Sequence, residues 1–185
     1  MKVYWRVLGM ATLLLVGGGT IATYHSNAVT LKDGTTYFLN PPQLVSSATS
    51  QTGTYIWGAT YYFTLRLPSN AGESLQRLLI EQETGIGQPE FNARYTEVFE
   101  GDRNNLGARV PLKQATIKPG SQSLSLIFAQ PVPPGKMITV RLYPVRNPNA
   151  AGSYLYGITA FPVGEKPFGQ FIGFGHIRIY DANLD

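Results

Sequence analysis

Apolar and polar residues alternate along most of this chain, and proline and glycine cut the alternation into short runs. The clearest run is 61–67. Tyr61, Phe63, Leu65 and Leu67 fall on one face there, and Tyr62, Thr64 and Arg66 on the other. A period of two is the signature of a strand with two different faces. Leu124, Leu126 and Phe128 are set against Ser123 and Ser125 in the same way, and Ile138, Val140 and Leu142 against Thr139, Arg141 and Tyr143. Residues 153–161 and 176–180 continue the pattern. Residues 35–39 predict a shorter first strand, stopped by Asn40-Pro41-Pro42 because proline cannot donate to a ladder. Residues 95–99 predict another. The stretch 44–52 is small and polar, and fits either an edge strand or a loop.

Residues 70–83 read two ways. Leu75, Leu78 and Leu79 fit one face of a helix, with Asn70 and Glu73 at capping-box spacing, whereas Leu78 and Ile80 alternate against Leu79 and Glu81 as in a strand. The expectation is a short helical turn followed by a strand. Many short strands between Gly and Pro, with no sustained helical period, predict an all-β sandwich or barrel. The fold expected for residues 29–185, as one domain, is an immunoglobulin-like β-sandwich with room for one short helix.

The first 28 residues belong to a different class. Lys2 and Arg6 precede an apolar run at 7–22, and Ser26-Asn27-Ala28 places small residues where a signal peptidase inspects them. This is the layout of a secretory signal peptide, cleaved after Ala28. The run is short for a membrane span and is interrupted by Gly9, Gly17, Gly18 and Gly19. Membrane contact is therefore expected only through this signal helix before cleavage, and the expected location is periplasmic, outer-envelope or secreted.

Composition narrows the function classes. The chain contains no cysteine, which excludes disulfides, thiolate metal sites, a cysteine nucleophile and lipid attachment at an N-terminal cysteine. It carries 15 basic and 11 acidic residues. Lys2 and Arg6 leave with the leader and no acid precedes Asp33, so residues 29–185 hold 13 basic against 11 acidic, or +2. A balance that mild, without a Lys/Arg cluster, is not a nucleic-acid footprint.

Four segments carry a family resemblance. They are YYFTLRLPSNAGESLQRLLIEQ at 61–82, PVPPG at 131–135, TVRLYPVRNP at 139–148 and GSYLYGITAFPVGEKPFGQFIGFGHIRIY at 152–180. Together they make the chain resemble exported cyanobacterial proteins grouped as a domain of unknown function. The resemblance implies an extracytoplasmic location and supplies no catalytic residues.

Candidate chemistry is sparse. His176 is the sole histidine after residue 28, and no G-x-S-x-G elbow offers it a nucleophile. It reads as a surface or packed residue. A transition metal would want several His or Cys ligands, so no cofactor and no such metal is expected. Glu100, Asp102 and Asn104 fall at alternate positions in EGDRNNLG and form a weak calcium candidate, but the EF-hand glycine and the twelfth-position glutamate are missing. An Asx-rich turn is the better expectation. The carboxylates sit in no hydrolase motif.

Binding candidates remain. Tyr154, Tyr156, Phe168 and Phe171 crowd the C-terminal block and could form a ring platform for sugars, although β-sheet cores are also built from such residues. Arg141, Arg146 and Asn147 flank a proline turn and could bind a carboxylate or pin the loop instead. The expectation is a non-enzymatic envelope or matrix module that binds an envelope protein. A carbohydrate-binding module is the alternative, with a polysaccharide as partner, and a hydrolase ranks third.

Overall fold

A computed structural model describes residues 29–118, 120 and 123–182. The expected leader at 1–28 lies outside them. Thirteen strands follow one another among the described residues. They are β1 (Val29–Thr30), β2 (Thr35–Tyr37), β3 (Gln43–Thr49), β4 (Tyr61–Arg66), β5 (Leu75–Thr84), β6 (Glu97–Asp102) and β7 (Asn105–Arg109). The rest are β8 (Leu112–Lys118), β9 (Ser123–Val132), β10 (Met137–Leu142), β11 (Gly152–Pro162), β12 (Lys166–Pro167) and β13 (Gln170–Ile179).

Two five-stranded antiparallel sheets face each other, in the orders β3-β4-β10-β6-β7 and β13-β11-β5-β9-β8. The run β3-β4-β10-β6 is the A-B-E-D sheet of an immunoglobulin-like sandwich and β13-β11-β5 is its G-F-C sheet. Strands β7 to β9 are inserted between D and E and widen both sheets. The chain crosses between sheets at Val110-Pro111, where Val110 N–H still donates to Val98 O and Ala129 N–H donates to Pro111 O. A small third sheet, β1-β2-β12, packs beside the sandwich with β2 and β12 parallel.

Alternation decides the core. Tyr61, Phe63 and Leu65 of β4 and Ile138, Val140 and Leu142 of β10 point inward, or are fully buried where the strand ends. They meet Leu124, Leu126 and Phe128 of β9 and Ile177 and Ile179 of β13. At the open corner between the sheets, Ser47 of β3 accepts from His176 N–H at 2.7 Å and donates to His176 O at 3.2 Å. A single hydroxyl thereby satisfies two edge groups of β13.

Three expectations change. No helical turn forms in 70–83; a bend at Gly72–Glu73 leads directly into β5. The misleading spacing has a physical cause. Against β11, Leu75 and Arg77 pair with the adjacent Pro162 and Phe161, which leaves Gln76 as an extra residue, so the buried leucines and isoleucine run 75, 78, 80. One bulge inserted in a period-two pattern imitates a helical step of three. The one helical turn among the described residues is the 3₁₀ turn Ala93–Tyr95, whose first turn is capped by Asn92 Oδ1 accepting from Arg94 N–H at 3.1 Å. Strands β7 and β8, not expected at all, are exposed along much of their length. Among the described residues no helix is long and apolar enough to cross a membrane.

Candidate functional site

Tyr154 and Tyr156, candidates for a ring platform or for the sheet core, are 0% and 1% exposed and belong to the core. Both lie on the inward face of β11, the F strand. The Tyr154 hydroxyl lies 2.7 Å from the carbonyl oxygens of both Ala150 and Ile86, sharing its proton between them. A tyrosine near the start of strand F whose hydroxyl reaches back to the chain just upstream is the tyrosine corner of immunoglobulin-like domains. Two residues on, Tyr156 packs edge-on against Phe63 of β4 with ring centres 5.6 Å apart. These are the B and F strands that a disulfide joins in antibody domains; aromatic packing bridges the same two strands in this cysteine-free chain. Burial pushes the phenol pKa of Tyr61, Tyr154 and Tyr156 above the ordinary tyrosine value, because the phenolate would lose its water.

Asn147 is 1% exposed and acts as a pin rather than a contact residue. Its amide nitrogen donates to Gln51 O at 3.0 Å and Gly53 O at 2.8 Å, and its Oδ1 accepts from the Tyr61 hydroxyl at 3.0 Å. That fastens the β10–β11 loop to the β3–β4 loop. Further bonds continue the zip. Asn147 N–H donates to Ile56 O at 2.8 Å, Tyr55 N–H to Pro148 O at 3.1 Å, and Trp57 and Arg146 form a backbone bridge. The β5–β6 loop joins on the other side, with Val145 N–H donating to Glu90 O at 2.7 Å.

The three zipped loops enclose a groove of about 520 Å³ at one end of the sandwich. Trp57, Gln88, Glu90, Arg146 and Asn149 line it together with proline rings. Trp57 is 69% exposed and Tyr55 is 54% exposed. The Arg146 guanidinium sits 5.6 Å from the centre of the Tyr55 ring. Tyr55 also holds a φ of 60°, a left-handed conformation that costs a non-glycine residue on the order of 1 kcal/mol and persists only where surroundings enforce it. Arg146 was legible as a candidate. Tyr55 and Trp57 were missed, because they stand in a loop between predicted strands; an indole between Gly53 and Gly58, outside any alternating run, was the available signal.

The remaining candidates lie elsewhere. Arg141 stands on the outer face of the A-B-E-D sheet, 3.7 Å from Glu97, with the Tyr62, Phe99 and Tyr143 rings around its guanidinium. Glu97 also accepts from the Tyr143 hydroxyl at 3.0 Å and lies 3.5 Å from Arg109. Burial and that bond push the Tyr143 phenol up to about 12. Phe168 and Phe171 are exposed on other faces, stacked against Tyr37 and Phe174. They do not join Arg141 or Arg146, so the predicted set is dispersed.

The calcium candidate is built as a hairpin turn. Asp102 Oδ1 accepts from Asn104 N–H at 2.8 Å and Asn105 N–H at 3.0 Å, while Lys136 donates to both oxygens of Glu100 at 3.0 Å. Among the described residues, no three His, Cys, Asp or Glu side chains converge as metal ligands would.

Solved structures resemble this chain at low identity. The collagen-binding subdomain of the Enterococcus faecalis surface protein ACE is 8% identical, with 71% of this chain and 94% of that one covered and a TM-score of 0.44. The C-terminal domain of the Streptococcus pyogenes antigen I/II-family protein AspA is 12% identical, with 72% and 46% covered and a TM-score of 0.43. The bacterial hydrophobin BslA is 17% identical, with 76% and 92% covered and a TM-score of 0.39. This chain spans about half the length of some of the structures it matches, 46% in one case and 53% in another. No curated protein matches the sequence. One family model matches residues 35–179, under the description "Protein of unknown function (DUF2808)".

Proposed function

Because the chain belongs to the DUF2808 family, whose description assigns no activity, we propose that it is an exported, non-enzymatic module of the cell envelope or extracellular matrix. It acts by binding a partner through the loop-end groove. The observation that carries this reading is Trp57: a large, exposed indole on a loop that backbone bonds fasten to the β10–β11 loop, itself bonded to the β5–β6 loop. Exposed aromatics on a pre-organised surface bind at low entropic cost, since little has to be ordered on association. The leader-like pattern of residues 1–28 supports export.

The groove lining supports binding over turnover. Glu90 is its one carboxylate, whereas glycoside hydrolysis uses a pair flanking the scissile bond. His176 is held in the seam by Ser47 through its backbone, away from that lining.

Fractionation of the tagged full chain tests the proposal. The protein is expected in the periplasmic, outer-envelope or medium fraction, and Trp57→Ala is expected to weaken its retention on isolated envelopes. Recovery in the cytoplasm, or retention indifferent to Trp57→Ala, would overturn it.

A further inference from the structure

We propose that the loop-end groove is a saccharide-binding site for an uncharged oligosaccharide chain, with Trp57 as the stacking platform. The inference rests on the binding-module reading and names the ligand class of that same groove. Sugar rings present apolar C–H faces to an aromatic plane and a girdle of hydroxyls that both donate and accept. The groove supplies both halves of that match. Trp57 offers a solvent-facing indole. Gln88 and Asn149 carry amides with two donors and an acceptor each, and Glu90 and Arg146 add one acceptor-only and one donor-only group.

Charge and backbone pairing weigh against a polyanion and an added peptide strand. The lining holds one acid and one base, so it has no net charge to attract a polyanion. An added peptide strand would need an open sheet edge, but the loops already pair several backbone groups with one another: Asn147 with Ile56, Tyr55 with Pro148, Val145 with Glu90. The side chains of the lining offer a ligand amide, carboxylate, guanidinium and ring. The same bonds keep the groove open in the free protein, as sugar sites require, because individual hydroxyl contacts are weak and cannot offset the ordering of a loose loop.

Arg146 has a defined position in this scheme. Its guanidinium is held over the Tyr55 ring, and its backbone is bridged to Trp57. Tyr55 occupies its left-handed conformation where it can receive that guanidinium, so the strained residue orients the groove's donor. Tyr55 is a positioning residue, and Trp57, Gln88, Glu90, Arg146 and Asn149 are the contacts.

The test is calorimetric titration of the full chain with tetrasaccharides of β-1,4-linked glucose, β-1,4-linked N-acetylglucosamine, α-1,4-linked glucose and α-1,6-linked mannose, and of a polyuronate control. At least one uncharged tetrasaccharide is expected to bind saturably and to protect Trp57 fluorescence from acrylamide. Trp57→Ala should weaken binding roughly tenfold, the loss expected for an aromatic stacking contact, with an unchanged melting temperature because the indole is exposed. Tyr55→Phe should leave binding intact and Tyr55→Ala should weaken it. Binding of the polyuronate alone, no binding across the panel, or binding that survives Trp57→Ala would overturn the saccharide assignment. Envelope retention separates the two levels. If the panel fails while Trp57→Ala still lowers retention on protease-sensitive envelopes, the module reading stands with a protein partner. If neither responds, both fall.

Discussion

The Tyr61 hydroxyl donates to Asn147 Oδ1 at 3.0 Å inside the protein, joining the first residue of β4 to the loop between β10 and β11. Through this bond the aromatic core and the loop-end groove are one structure. The Asn147 amide that accepts from the core also donates to Gln51 and Gly53, which carry the chain toward Tyr55 and Trp57. Asn147→Ala would leave the buried Tyr61 phenol and the Gly53 carbonyl without these partners, while Gln51 O keeps the Thr49 hydroxyl at 2.7 Å. The expected cost is about 3 kcal/mol, since each stranded buried group costs roughly 1–3 kcal/mol before relaxation. Urea denaturation reads this directly, and acrylamide access to Trp57 should change with it.

Tyr154→Phe isolates the tyrosine corner. It keeps the buried ring and removes the hydroxyl shared by Ala150 and Ile86. The expected loss is about 1–2 kcal/mol by chemical denaturation. Tyr154→Ala should cost about 3–5 kcal/mol, as a large buried ring is deleted. Equal and negligible effects from both would contradict the buried placement.

Alkali should unfold the protein through its tyrosines. Tyr61, Tyr143, Tyr154 and Tyr156 have raised pKa values, chiefly from burial. A raised folded value means that the native state favours the neutral phenol. That stability is fully present below the unfolded value of 10.0 and is lost as pH climbs through the folded values, about 12 for Tyr143 and higher for Tyr61. Phenolate absorbance of these four tyrosines should rise cooperatively with loss of the near-ultraviolet dichroism. Non-cooperative ionisation of these four near pH 10, with the dichroism retained, would refute this.

Gly175→Ala probes the corner between the sheets. A Cβ there would run into the Phe63 ring and lie 3.3 Å from Ser47 Cβ. Neither neighbour has a free direction to move, since Phe63 is fully buried and Ser47 is held by His176. A cost of about 1–3 kcal/mol is expected, the usual range for overpacking.

The exposed rings should behave oppositely. Phe171 and Phe174 stack edge-on with centres 4.9 Å apart, yet both face solvent. Replacing both with serine should change stability by less than about 1 kcal/mol in thermal unfolding, whereas Phe63→Ala should cost about 3–5 kcal/mol. The contrast separates surface aromatics from core aromatics in a region where the sequence makes them look alike.

Much of the fold was legible because alternation is a local property. Residues 61–67, 124–128 and 138–142 announced β4, β9 and β10, and the prolines at 41, 42 and 68 marked where strands stop. The Gln76 bulge defeated the reading of 70–83, since one extra residue changes a spacing of two into three. Strands β7 and β8 escaped because they carry few apolar residues, having little core to cover. Of the candidate site, Arg146 and Asn147 were legible as candidates, Asn147 also as a loop pin; for Tyr154 and Tyr156 the pattern left platform and core both open, and burial decides for the core.

Period-two patterning, turn chemistry, the absence of cysteine and the leader-like N-terminus follow from the order of residues alone, since each depends on neighbours within a few positions. A strand's pattern also says that its two faces differ. It does not say which sheet the strand joins, so it could not tell that the Tyr154 face closes over Phe63 while Phe171 and Phe174 stay wet. Nor could it bring Trp57, Glu90 and Arg146 to one groove. They meet because the sandwich ends β3, β5 and β10 at the same rim, and backbone bonds between loops far apart in sequence close the gap.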